Sequence, residues 1–262
     1  MRKRPITLDE ALVLGDDYDV GGNIVIRQPT IEDIIRYDEI SYYRMVGLLT
    51  CISSDCKAAL DDIGLDWCNV SDFEMFVLST RTLTIEDTSI LLGDEIDLSK
   101  MSMYVDENQR PQCLKSDDGK FVIDEASRRK LSEFLCRMHQ IIKKPEFPTN
   151  DFARQMLLEE SRDKQRLAEG KEEEPILPTL ISFISNINGS KYDYESCRKL
   201  KYSTFMDSVA RLQIITNATA LRNAAYSGWV DTSKIDKKEL DMMRPVKQER
   251  TYNVLQEKTK SK

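Results

Sequence analysis

Histidine occurs once in the 262 residues, at position 139. Chemistry that needs two imidazoles is thereby excluded, and His139 has no Cys, Ser or Asp motif beside it to make a nucleophile–base pair. Glycine (10) and proline (8) are scarce, which argues against a loop-rich β-sandwich. The six cysteines, Cys51, Cys56, Cys68, Cys113, Cys136 and Cys197, contain no C-x-x-C and no zinc-type spacing. Free thiols in a reducing compartment are expected, with Cys136 a small hydrophobe inside a helical segment. No stretch reaches the roughly 18 apolar residues of a membrane helix. The basic start, Met1 to Pro5, runs into Asp9, Glu10, Asp16 and Asp17 rather than an apolar signal core. The expected location is therefore the cytoplasm, with no membrane contact.

Glycine-rich phosphate cradles are missing as well: neither G-x-x-x-x-G-K-[ST] nor G-x-G-x-x-G occurs, nor the G-x-S-x-G of hydrolases. Asp16-Asp17-Tyr18-Asp19 lacks the spacing and terminal Glu of a calcium loop, and Asp61-Asp62 is an ordinary surface pair. The expectation is a protein that is not an enzyme and takes no cofactor or metal.

What is present is a globular balance, 32% charged and 40% hydrophobic, with net charge −7. The charge is uneven: residues 1–189 are acidic and residues 190–262 basic. An acidic main body disfavours non-specific binding to nucleic-acid phosphates.

The hydrophobic patterning reads mainly α. Residues 1–20 are weakly patterned, Gly21-Gly22 marks a turn, and Asn23 to Arg27 reads as a short strand. Thr30 with Asp33 caps a helix whose stripe is Ile31, Ile34, Ile35, Tyr42, Met45, Val46 and Leu49. Asp38 falls inside that stripe, so it must be paired or the helix must break there. A short helix over Cys56–Ile63 stops at Gly64. Ser71 and Glu74 form a capping box, stapled by Val70 and Met75, which starts a helix to about Arg81. Residues 94–123 read as a small inserted β meander, with Asp118-Gly119 as a hairpin turn. A helix follows over 124–143 with Leu131, Phe134, Leu135, Met138 and Ile142 on one face, ended by Pro145 and Pro148.

A charged helix runs from about Asn150 to Ala168 and meets the segment 170–176, read as a linker between an N-terminal helical domain, 1–169, and a C-terminal helical subdomain, 177–244. In the latter, Leu180, Phe183, Ile184 and Ile187 make one face and Tyr202, Phe205, Val209 and Leu212 another. An Ala-rich helix to Tyr226 comes next, with Gly228 at its C-cap. Asp236 to Glu239 resembles a capping box stapled by Ile235 and Leu240, and 245–262 reads as a flexible tail.

Several stretches carry a resemblance: IVIRQPTIEDIIRYDE, FVIDEASRRKLSEFLCRMHQI, LLEESRDKQR, KYDYESCRKLKYSTFMDSVARLQ and YSGWVDTSKIDKKELDMM. Together they cover most of residues 23–243, and each is a helix with its cap and core face rather than a functional signature. The chain resembles a family encoded by bacteriophages and prophages of Gram-positive bacteria, of the kind discussed as tail assembly chaperones. The resemblance implies a non-enzymatic protein of the host cytoplasm that binds the tape-measure protein during tail morphogenesis, in multiple copies along it. No catalytic residue comes with it.

Such a protein must cover an apolar helix. The residues suited to that are Tyr226, Trp229, Val230, Met242 and Met243, since Met adapts to varied partners and Trp and Tyr anchor interfaces. The other reading is that these five close a small core of their own. Two further functions stay open: a structural virion protein of tail, neck or baseplate, and a DNA-binding regulator. The latter would use Arg198 to Tyr202 and a helix-turn-helix whose second helix is Leu221 to Tyr226, although that helix carries only Arg222 as a base-reading cation.

Overall fold

The computed structural model describes residue 4 and residues 6–171, 173–227 and 235–246. Thr7 opens the first helix, α1 (Leu8–Leu14). Its Oγ1 accepts the Glu10 N–H at 3.3 Å while Glu10 Oε2 accepts the Thr7 N–H at 3.0 Å. Two of the donors that a helix start leaves without partners are thereby satisfied. An antiparallel hairpin follows, β1 (Tyr18–Gly21) and β2 (Ile24–Ile26). Residues 8–20 thus hold regular structure where weak patterning was expected; α1 faces the core with only Leu8, Ala11 and Leu12, and Ala11 alone is fully buried. The hairpin turn sits against the backbone of Val122, whose N–H donates to Gly22 O at 3.0 Å. A Cβ on Gly22, at φ 62°, would lie 1.8 Å from Val122 O, so the site admits only glycine.

The long stripe divides where its acid falls. α2 (Ile31–Tyr37) and α3 (Glu39–Leu49) meet at Asp38, which stands at φ 94° and accepts the Ser41 N–H at 2.9 Å. Asp38 is a cap between two helices, not a buried acid. After a 3₁₀ turn over Ser53–Asp55 come α4 (Lys57–Asp62), α5 (Asp72–Thr80) with the expected Ser71–Glu74 box, and α6 (Ile85–Leu92). Val70 and Met75 share a small cluster with Trp67, as a staple should. The meander is β3 (Ser102–Val105), β4 (Pro111–Lys115) and β5 (Val122–Asp124), antiparallel in that order.

β5 leads into α7 (Glu125–Met138), which ends short of the proline pair expected to stop it. Gln140 is left-handed, at φ 57°, and the Ile141 N–H reaches back to Cys136 O at 2.8 Å, closing the helix one turn early. Ile142 therefore leaves the buried face. The remaining helices are α8 (Asp151–Ala168), α9 (Leu177–Asn186), α10 (Tyr194–Lys199) and α11 (Tyr202–Tyr226). Among the described residues the fold is mainly helical with two small antiparallel sheets.

Three local expectations near the C-terminus change. Tyr202 to Tyr226 is one unbroken 25-residue helix, so the turn that a helix-turn-helix ending in Leu221 to Tyr226 would need does not exist. Asp236 to Asp241 forms successive turns instead of a helix; Pro245 lies too close for a helix to nucleate before it. Of the expected α9 face Leu180, Phe183, Ile184 and Ile187, only Ile184 is fully buried; Leu177 and Ile181 join it, and Leu180 and Phe183 pack at the edge of the core. Gly228, like residues 247–262 of the expected tail, lies outside the described residues.

One core runs through both parts of the chain. Ile31, Ile34, Tyr42, Phe134 and Leu135 belong to the same buried cluster as Leu177, Ile184, Cys197, Tyr202 and Phe205. The segment 170–176 therefore does not separate two cores, and the division into 1–169 and 177–244 is not a division of packing. Three sets of hydrogen bonds reinforce this. The Ile31 N–H donates to Leu200 O (3.0 Å) and the Tyr202 N–H to Pro29 O (2.9 Å), a two-rung bridge between distant stretches. Glu39, buried in α3, accepts the Ile176 N–H (2.8 Å) and the Leu177 N–H (3.0 Å) and so caps α9 from another helix. Buried Gln28 donates to Ala11 O (2.8 Å) and Asp16 O (2.7 Å) and accepts from Ser203 Oγ (2.5 Å), tying α1, β2 and α11 together.

Candidate functional site

His139 is the natural place to look for chemistry, and its surroundings settle its protonation. A carbonyl can only accept, so Nδ1, 2.9 Å from Leu135 O, carries a hydrogen. Burial pushes the imidazole pKa down from 6.5 to about 4, partly offset by that backbone bond. The ring is then neutral at pH 7, and Nε2 accepts from Tyr42 Oη at 2.7 Å. Tyr43 Oη and Tyr202 Oη lie 3.2 Å apart alongside, and the His139 ring centroid is 4.7 Å from that of Tyr202. Burial holds the Tyr42 and Tyr202 hydroxyls well above their ordinary range. Both imidazole nitrogens are committed within the fold, so the group is an aromatic knot joining α3, α7 and α11 rather than an acid–base pair.

A cavity of about 440 Å³ opens between β2, α2, α6 and the start of α11, lined by Arg27, Arg36 and Lys201 and by Asp17, Asp33 and Asp94. Most of these charges serve the fold. Asp33 caps Thr30, Asp17 accepts the Gln28 N–H at 3.0 Å, Arg36 pairs with Glu32, and Lys201 Nζ donates to Gln28 O at 2.6 Å. The Arg27 guanidinium lies over Gly93, where a Cβ would come within 2.8 Å of Nη2. The mixture of signs and the absence of a nucleophile–base pair among these lining residues make it a poor catalytic pocket. Among the described residues no group of three or more His, Cys, Asp and Glu is arranged to hold a metal, and no helix is long and apolar enough to cross a membrane.

The residues singled out for partner binding do not form one patch. Tyr226, in the last turn of α11, is 91% exposed and Met243 is 85% exposed. Met242 is half-buried, because the chain over 235–246 folds back along α11. Arg211 donates to Met242 O (3.0 Å) and Arg244 O (2.8 Å), and Arg222 donates to Leu240 O (2.7 Å). Trp229 and Val230 lie outside the described residues.

A second apolar surface escaped sequence reading. α8 buries only Leu158 and leans on α4 by one edge, through Arg162 to Asp61 (2.9 Å) and Asp62 (3.0 Å). Its outer face presents Phe152, 72% exposed, and Met156 one turn on; Phe147, just before the helix, is 66% exposed. In the sequence these sit within a charged helix and a proline-flanked loop; the i, i+4 spacing of Phe152 and Met156 was the available signal.

Comparison with protein families, curated proteins and solved structures returned no match.

Proposed function

We propose that this protein is a non-enzymatic assembly chaperone of the phage-tail type, which binds the tape-measure protein while the tail tube forms. The observation that carries the reading is large apolar side chains left in solvent: Phe152 and Met156 on α8, Tyr226 at the end of α11, and Met243 in the segment that folds back along α11. A tape measure is a long helix with an apolar stripe, and exposed Phe, Tyr and Met side chains suit helix-on-helix packing. Each such side chain contributes about 1.5–3 kcal/mol when fully covered. One copy would therefore hold weakly, and a row of copies would hold firmly yet release stepwise as the tube closes.

The test is co-expression with the tape-measure protein of the same genome. Wild type is expected to co-purify, and Phe152→Ser with Met156→Ser is expected to abolish co-purification while leaving the thermal midpoint unchanged, since neither residue is buried. No association of wild type with the tape measure refutes the chaperone reading. Its presence in purified, tail-complete particles by mass spectrometry would favour a structural virion protein instead.

A further inference from the structure

Two thiols meet in the small apolar cluster on which α8 rests. α3 ends at Leu49, Thr50 Oγ1 donates back to Val46 O (2.8 Å), and the 3₁₀ turn over Ser53–Asp55 returns the chain so that Cys51 Sγ and Cys56 Sγ stand 3.4 Å apart. Cys51 is buried beside Leu60 and Trp67, whereas Cys56 is partly open to solvent. The turn between them is held by Asp55, which accepts the Ile52 N–H (3.0 Å) and pairs with Lys143 (2.7 Å). Asp55 thus places a negative charge near both sulfurs, and Lys143 a positive one that partly offsets it.

We propose that Cys51 and Cys56 form a thiol–disulfide exchange site, with Cys56 the attacking sulfur, Cys51 the resolving sulfur and a low-molecular-weight disulfide such as oxidised glutathione the co-substrate. The geometry has two parts: van der Waals proximity of the sulfurs, and accessibility of one of them. The ionisation pattern agrees. Two thiolates at this separation repel, so the pair shares a proton: the more open Cys56 thiol is lowered by its bond to Cys51, and the buried Cys51 thiol is raised. By contrast burial raises the thiols of Cys68 and Cys136.

The exchange balances without any further reagent. The Cys56 thiolate attacks one sulfur of oxidised glutathione, breaks its S–S bond and releases one glutathione thiolate, which takes up the proton lost by Cys56. Cys51 then gives up its proton and attacks the Cys56 sulfur, expelling the second glutathione, which takes that proton. The protein loses two hydrogens and gains one disulfide; one glutathione disulfide becomes two thiols. The new bond would staple the end of α3 to the start of α4.

Trypsin should cut after Arg44 and Lys57, so one peptide, residues 45–57, contains both cysteines and no other. The reduced full chain would be incubated with oxidised glutathione, quenched in acid, alkylated under denaturing conditions and digested. The expected product is that peptide lighter by two hydrogens and unalkylated, restored by dithiothreitol, while the other four cysteines are alkylated. In Cys51→Ser the reaction should stop with one glutathione on Cys56, formed faster than on Cys68 or Cys113. Alkylation of both cysteines in the wild-type peptide after oxidant treatment overturns the proposal, and that result needs no variant. Equal glutathione loading of Cys56, Cys68 and Cys113 in Cys51→Ser overturns the assignment of the attacking sulfur.

Discussion

A chain with one histidine allows an unusually direct experiment on stability. His139 is neutral in the fold, with a pKa of about 4, against 6.5 for an unperturbed imidazole. Its folded pKa is depressed, so the native state binds fewer protons than the unfolded chain at intermediate pH. The stability this neutral ring allows is fully present above pH 6.5 and is lost as pH falls from 6.5 towards 4. Between about pH 7.5 and pH 5 the loss amounts to about 2 kcal/mol from the two pKa values, and to about 3 kcal/mol once the folded ring itself is protonated. Urea unfolding followed by circular dichroism at the two pH values should show that drop in wild type. It should largely vanish in His139→Gln, which cannot titrate, whereas carboxylate contributions remain common to both. The imidazole proton resonance, free of overlap from any other histidine, should titrate near 4 in the folded protein. A midpoint near 6.5, or an equal loss of stability in wild type and His139→Gln, would refute the account of His139 as a desolvated member of the tyrosine knot.

Two substitutions probe the ties across residues 170–176. Glu39→Ala leaves the buried Leu177 N–H without its acceptor and should cost about 1–3 kcal/mol in denaturant unfolding, still in a single transition; two separated transitions would show that the C-terminal helices unfold on their own. Gln28→Leu removes two donated bonds and one accepted bond at a buried position and should cost about 2–4 kcal/mol, with amide protection lost in α1 before α5 by hydrogen exchange. Uniform loss of protection would contradict the local role assigned to it.

The parts of the fold legible in sequence were those whose cause is local. The Thr30–Asp33 and Ser71–Glu74 boxes and the Asp118-Gly119 turn each involve residues within four positions of one another, so pattern and cause coincide. Asp38 was legible as a contradiction inside a stripe, and the structure resolves it as a break. Glu39 and Gln28 were not legible, because the partners of Glu39 and the Ser203 partner of Gln28 lie more than 130 residues away, and the nearer Gln28 partners are backbone carbonyls that no side-chain pattern marks. α6 and α1 are short, and the start of α9 is capped from another helix, which no local pattern announces. The Asp236–Glu239 signature shows the converse: a local start signal without enough chain after it to become a helix. For the candidate surface, exposure of Tyr226 and Met243 could not be read from composition, since the same residues would suit a small core. The α8 face was hidden by the charge around it.

The two-rung bridge between residues 29–31 and 200–202 bears on how the chain is made. During synthesis the N-terminal helices emerge with Ile31, Ile34 and Tyr42, whose final neighbours include Tyr202 and Phe205. At about 5–20 residues per second, on the order of ten seconds or more separates the emergence of the two stretches. Through that interval the apolar faces of α2 and α3 have only part of their cover, and closure of a loop this long must precede the contacts that reward it. Truncation before residue 200 should therefore produce a nascent chain that engages host chaperones or aggregates, whichever partner the finished protein binds.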